Sequence, residues 1–134
     1  MRRPIPLLLV LVALLAGCGA GSDDSASDFQ GEEKKVADVI EDLEEAATEN
    51  ESRRICEGLL AKDVVDRIEG DCAKAIEKAI DDADTFTLTV EDVTVKGTTA
   101  TARVETGDDE EAIEEITLVK EGDGWRISRL PAAS

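Results

Sequence analysis

TFTLTVEDVTVKGTTATARV, Thr85 to Val104, is where the chain changes its period. Upstream of it apolar residues recur every three or four positions; within it they recur every second position, the mark of a half-buried strand. Phe86, Leu88 and Val90 alternate with threonines, but the next apolar residues are Val93 and Val95, so the inward phase slips by one across Glu91 and Asp92. Uncorrected, that slip would turn the rest of the strand inside out, and a β-bulge or a sharp bend at Glu91 and Asp92 restores the pattern. "KGTT" around Gly97 reads as a turn, and Ala100, Ala102 and Val104 resume the alternation in a partner strand.

Working outward from this hairpin, "TGDDEEA" is a polar loop, Ile113 to Lys120 is a third strand, "EGDG" turns the chain, and "WRISRL" is a last strand ended by Pro131. Four consecutive strands with short connections predict an antiparallel meander. Upstream, Val36, Val39, Ile40, Leu43 and Ala46 or Ala47 form the stripe of an amphipathic helix from Glu32 to about Glu49. Ser52 is placed to cap a second helix, "RRICEGLLA", with Ile55, Cys56, Leu59 and Leu60 on one side. Asp63 is placed to cap a short third turn, closed by Gly70 in the left-handed conformation that glycine tolerates. Asp71 then caps a fourth helix with Cys72, Ile76, Ala79 and Ile80 together. The expected class is α+β, with N-terminal helices packed on one face of a bent antiparallel four-stranded sheet.

At 134 residues and 42% apolar content the chain has room for one small core. Its 32 acidic residues outnumber 15 basic ones for a net charge of -17, and there is no histidine. Phosphate binding needs clustered Lys and Arg, so this balance argues against nucleic acid as a partner.

The amino terminus has the order of an export signal. "MRRP" is a short basic start and "IPLLLVLVALLA" an apolar run well short of the ~20 residues a spanning helix needs. "LAGC", Leu15 to Cys18, resembles the processing box of bacterial lipoproteins, which implies cleavage before Cys18 and acylation of its thiol. Residues 1–17 are then the signal peptide. Two or more acyl chains, at ~0.8 kcal/mol per buried CH2, hold a protein on a membrane where one chain does not. The expected location is the extracytoplasmic side of the cell membrane, with Cys18 as the lipid attachment site. Residues 18–31 follow as anchor and tether, because Gly, Ser, Ala and Asp with one Phe offer little to bury. About 14 such residues reach on the order of 20 Å. The folded domain is expected over 32–131.

With Cys18 acylated, Cys56 and Cys72 remain as an even pair in a thiol-poor space. Each lies on the apolar stripe of its helix. A structural disulfide would close a loop of roughly 15 residues and stabilise by about 3 kcal/mol in the chain-entropy picture. Two buried free thiols, or a redox or metal role, are the other readings of the pair.

"CEGLLAKDVVDRIEGDC" (56–72), "DTFTLTVEDVTVKGTTATARV" (84–104) and "GDGWRISRL" (122–130) together resemble the NTF2-like fold, and within it the small exported lipoproteins of high-GC Gram-positive bacteria. The resemblance covers about residues 32–130. It implies a cystatin-like cone, a strongly bent sheet wrapped around a long helix, whose mouth can hold a ligand. The early short strands that many relatives insert among their helices are not evident here.

Enzymatic relatives, of the ketosteroid-isomerase and polyketide-cyclase kinds, set an acidic base against Tyr, His or a protonated acid, and this chain has neither Tyr nor His. Its carboxylates fall in runs ("EDLEE", "DDAD", "DDEEAIEE") that read as solvated surface, and no catalytic residue or cofactor is assigned. Neither "DDADT" nor "TGDDEEA" has the spacing or the glycine of a calcium loop, so no metal site is assigned either. Trp125 reads as core, since Ile127 follows on the same face. The expectation is a non-catalytic, membrane-tethered module that binds a small apolar ligand or an envelope protein; a small isomerase- or cyclase-like enzyme with an acidic general base is the alternative. A cone plugged by Phe86, Leu88, Ile116 and Trp125 favours the first reading, and a pocket of several hundred cubic Å with a carboxylate at its floor favours the second.

Overall fold

A computed structural model describes residues 25–83, 86–107 and 112–130. Its elements are a 3-10 turn (Ser25–Asp28), α1 (Gly31–Thr48), α2 (Ser52–Arg54) running into a π turn (Ile55–Leu59), α3 (Lys62–Arg67) and α4 (Cys72–Asp82). The strands β1 (Leu88–Lys96), β2 (Thr99–Thr106), β3 (Ile113–Glu121) and β4 (Gly124–Arg129) follow. They form one antiparallel sheet in the order β1-β2-β3-β4, so the chain is α+β as the change of period predicts.

The phase slip in β1 is a bulge. Val90 faces Val104 and Asp92 faces Arg103, leaving Glu91 as the extra residue. Leu88 and Val90 before it and Val93 and Val95 after it therefore share the side that carries Ala100, Ala102 and Val104 of β2. The same side continues through Ile116 and Leu118 of β3 to Trp125 and Ile127 of β4. A second irregularity shifts β4 between Ile127 and Arg129, where the Ser128 hydroxyl donates to the Thr117 carbonyl at 3.1 Å.

α1 lies on this apolar side and packs against β1, β2 and β4. Its buried residues Val36, Ala37, Ile40, Leu43, Ala46 and Ala47 repeat at helical spacing, while Val39, expected on the stripe, is only half-buried. The helix ends in a left-handed Asn50 (φ 58°). There the Asn50 N–H donates to the Ala47 carbonyl (3.1 Å) and the Glu51 N–H to the Ala46 carbonyl (2.7 Å), the paired bonds of a Schellman stop.

Three local expectations give way to longer-range contacts. "RRICEGLLA" is not one α-helix, because the Leu60 N–H reaches back five residues to the Ile55 carbonyl (3.0 Å). That wider turn takes in one extra residue and lets Ile55, Leu59 and Leu60 all be buried. Leu60 then bridges Ile127 in parallel, and the Ala61 N–H donates to the Ile127 carbonyl (2.8 Å), covering part of the β4 edge. Ser52 is the first residue of its helix rather than the cap. At α3 the helix begins at Lys62, before Asp63, and its first free N–H is taken by the distant Glu121 carboxylate at 3.0 and 3.2 Å. Asp71 does cap α4, accepting from the Lys74 N–H at 3.1 Å, and Gly70 is left-handed (φ 84°).

Two placements refine the domain outline. Composition reads residues 18–31 as tether, yet Ala26 is fully buried, its N–H donates to the Glu41 carboxylate at 2.6 Å, and Phe29 packs on the core. The folded body thus includes the 3-10 turn at Ser25–Asp28. α4, expected on the sheet with the other helices, has α2 and the π turn as its main neighbours, and none of its residues is buried; Ala79 is exposed.

Candidate functional site

The described residues place charged side chains against apolar surface in two regions. The first joins the start of α1 to the β3–β4 hairpin. Lys120 and Trp125 are cross-strand partners, and the Lys120 Nζ stands 5.7 Å from the centre of the indole ring, within cation–π range. Glu32, in the first turn of α1, accepts from the Trp125 indole N–H at 2.8 Å and from Lys120 Nζ at 3.3 Å with one oxygen. Its other oxygen accepts from Lys35 Nζ at 2.8 Å. Trp125 is 4% exposed, so this hydrogen bond gives the indole N–H a partner at the rim of the core.

The Lys35 ammonium, the Trp125 N–H and Lys120, in that order, hold the Glu32 carboxyl down from 4.5 to about 2. Since the folded value lies below the unfolded one, the unfolded chain takes up this proton first as pH falls. The contribution of Glu32 to stability is therefore complete above about pH 4.5 and is lost as pH falls through about 2. We expect urea midpoints of the wild type and Glu32→Gln to differ most at pH 6 and to converge as pH falls through about 2. A difference that stays constant over that range would contradict the assignment.

The second region is a cleft of about 320 Å3 between α3, the π turn and the β3–β4 hairpin. Cys56, Leu60 and Val65 supply its apolar wall, and Glu57, Lys62, Asp66, Glu121 and Arg126 its charged rim. Lys62 Nζ pairs with Asp66 at 2.6 Å, and Arg126 Nη1 donates to the Glu57 carbonyl at 3.2 Å. The volume is at the lower end of that used for small ligands. The disulfide borders it: Cys56 and Cys72 are bonded at 2.05 Å, with Cα atoms 6.2 Å apart, tying the π turn to the start of α4.

No family model, no curated protein and no solved structure matches this chain. Among the described residues no polar or charged residue is buried, and no group of three His, Cys, Asp or Glu side chains is placed to hold a metal. The cleft sets a charged rim over a short apolar wall. Cys18, the expected lipid attachment site, lies outside the described residues. Among those residues no helix is long and apolar enough to cross a membrane.

Sequence reasoning did not single out Glu32, Lys120, Glu121 or Arg126. An acid in a first helical turn reads as ordinary dipole complementation, and nothing local marks Glu32 for a tryptophan 93 residues away. Arg54 was equally silent. Its guanidinium collects Asp42 (3.4 Å), Glu45 (3.1 Å) and Glu51 (2.8 Å), orienting α2 against the acidic side of α1. These groups are well exposed, so the cluster sets orientation more than it adds stability.

Proposed function

We propose that this chain is an exported lipoprotein, held on the extracytoplasmic side of the cell membrane through Cys18, whose body is a non-catalytic NTF2-like domain that binds a small apolar ligand or an envelope protein. The observation that carries the non-catalytic part is how the apolar side of the sheet is filled. Ile116 and Trp125 are buried there beneath α1, with Phe86 and Leu88 packed against the same cluster, where an isomerase-like relative would need an open pocket around a carboxylate. The carboxylates described are at the surface or its margin, those of Glu57, Asp66 and Glu121 on the rim of the cleft rather than under α1.

Support for the tether comes from the order of basic start, apolar run, "LAGC" and polar sequel. Cleavage would remove Arg2 and Arg3 and no acid, making the body more negative by two charges, so anionic head groups would repel it and the acyl chains alone would hold it. With the body beginning by Ser25, the chain from Cys18 spans at most about 25 Å when fully extended. The test is mass spectrometry of the membrane fraction beside Cys18→Ala. The expected result is a mature chain that begins at Cys18 and carries an acyl mass, with the variant lost from the membrane after signal removal. An unacylated wild type, or a start elsewhere, refutes the tether.

A further inference from the structure

We infer that Lys62–Ala83, carrying α3 and α4, is a flap latched to the body by the Cys56–Cys72 disulfide, and that reduction by a dithiol releases it while the core stays folded. Every buried residue of the core lies outside this segment: none belongs to α3 or α4. What holds the flap is a rim of half-buried side chains, Val64, Val65, Ile68, Cys72, Ile76 and Ile80, together with the Glu121 carboxylate on the Lys62 N–H and the bridge itself. Apolar groups that stay half in water on folding contribute only part of their transfer free energy. A covalent cross-link is thus a large share of what keeps this segment in place.

The two ends of the bridge differ in their surroundings. Cys56 is in the π turn, between the buried Ile55 and Leu59, and that turn is pinned by Leu60 on Ile127 and by the Ala61 N–H on the Ile127 carbonyl. Cys72 is the first residue of α4, whose main neighbours are α2 and the π turn rather than the sheet. Both cysteines are half-buried, so the bond lies at the margin of the fold and not in its core. Its rupture leaves Cys56 on the body and lets Cys72 move with the flap.

The exchange balances with the dithiol as two-electron donor. One thiolate attacks a sulfur of the bridge to give a mixed disulfide and release the other cysteine. The second thiol of the reductant then closes its own disulfide, and its two protons end on Cys56 and Cys72. The consequence is structural. Lys62, Val65 and Asp66 form the flap side of the cleft, and Leu60, Glu121 and Arg126 the body side, so release turns a narrow cleft into an open groove along the β4 edge.

Hydrogen exchange of the full chain, read by mass spectrometry before and after dithiothreitol without denaturant, tests this. Expected is a fall of about 100-fold in protection over residues 62–83, the size the chain-entropy model gives a loop of this length. Amides of α1, β2 and β3 should change less than twofold, and Trp125 emission should hold steady. The Cys56→Ser/Cys72→Ser double variant should reproduce the pattern without reductant. Equal loss across the whole chain would overturn the inference, showing that the bridge holds the core. So would unchanged protection at 62–83, or a bridge that resists dithiothreitol until the protein unfolds. The readout does not depend on lipidation or on any ligand, so its failure is distinct from failure of the proposed function.

Discussion

Trp125→Ala is expected to lower unfolding free energy by about 3–5 kcal/mol, the range for removing a buried aromatic side chain. Trp125 fills the end of the apolar face nearest the α1 start, and three interactions meet on it. Its ring is buried with Ile127, its indole N–H is held by Glu32 at 2.8 Å, and Lys120 stands over it. Trp125→Phe separates these contributions. It keeps a ring in the core and removes the N–H; Glu32 retains Lys35 and Lys120 and is partly exposed, so water can replace the lost donor. The expected cost of the phenylalanine variant is about 1 kcal/mol, near the net worth of one hydrogen bond. Urea unfolding followed by far-UV circular dichroism measures both, since Trp125 is the only tryptophan. Equal losses in the two variants would show that the indole hydrogen bond, not ring burial, dominates.

Ile40→Ala is expected to lower unfolding free energy by about 3–4 kcal/mol. Ile40 is fully buried at the middle of α1 and is among the largest side chains sealed in the core. Removing it leaves a cavity that a helix pressed on a sheet closes only in part. For a domain stable by 5–15 kcal/mol this is a large fraction. In a body of about 100 residues, it corresponds to roughly 15 °C in Tm. The neighbouring Val39, half-buried, sets a graded comparison: Val39→Ala should cost about 1 kcal/mol, and Glu33→Ala on the exposed face should stay within about 0.5 kcal/mol. If Val39→Ala costs as much as Ile40→Ala, the face of α1 that meets the sheet has been placed wrongly.

Much of this architecture was legible before any contact was known, because it is encoded in neighbours. Alternation in β2 and β4 requires only that every second residue be apolar. The slip between Val90 and Val93 has only two solutions, bulge or bend, and the register takes the first by leaving Glu91 unpaired. Asp71 caps α4 through a bond spanning three residues. Cys56 and Cys72 could be paired by parity once Cys18 had been assigned elsewhere, and the bridge is present.

What stayed hidden depends on partners remote in the chain. The Lys62 N–H finds the Glu121 carboxylate 59 residues on, and so α3 starts without the cap its sequence offers. Ala26 sits in a stretch whose composition suggests solvent, yet one methyl group and one N–H bonded to Glu41 bring it into the core. The π turn answers to Leu60, which must leave the helix to reach Ile127.

The sequence by itself determined the class of the domain, the order of helices before strands, the phase break in β1 and, with Cys18 read as the lipid site, the even pair of cysteines, because periodicity, capping and counting act over a few residues or over the whole composition. The tertiary structure alone decided that Glu32 serves Trp125, that Glu121 caps α3, and that α4 meets the core only through half-buried side chains, with the disulfide as a further tie. Those outcomes turn on which surfaces meet once α1 lies across the sheet. Local propensity carries no record of a neighbour that arrives from the far end of the chain.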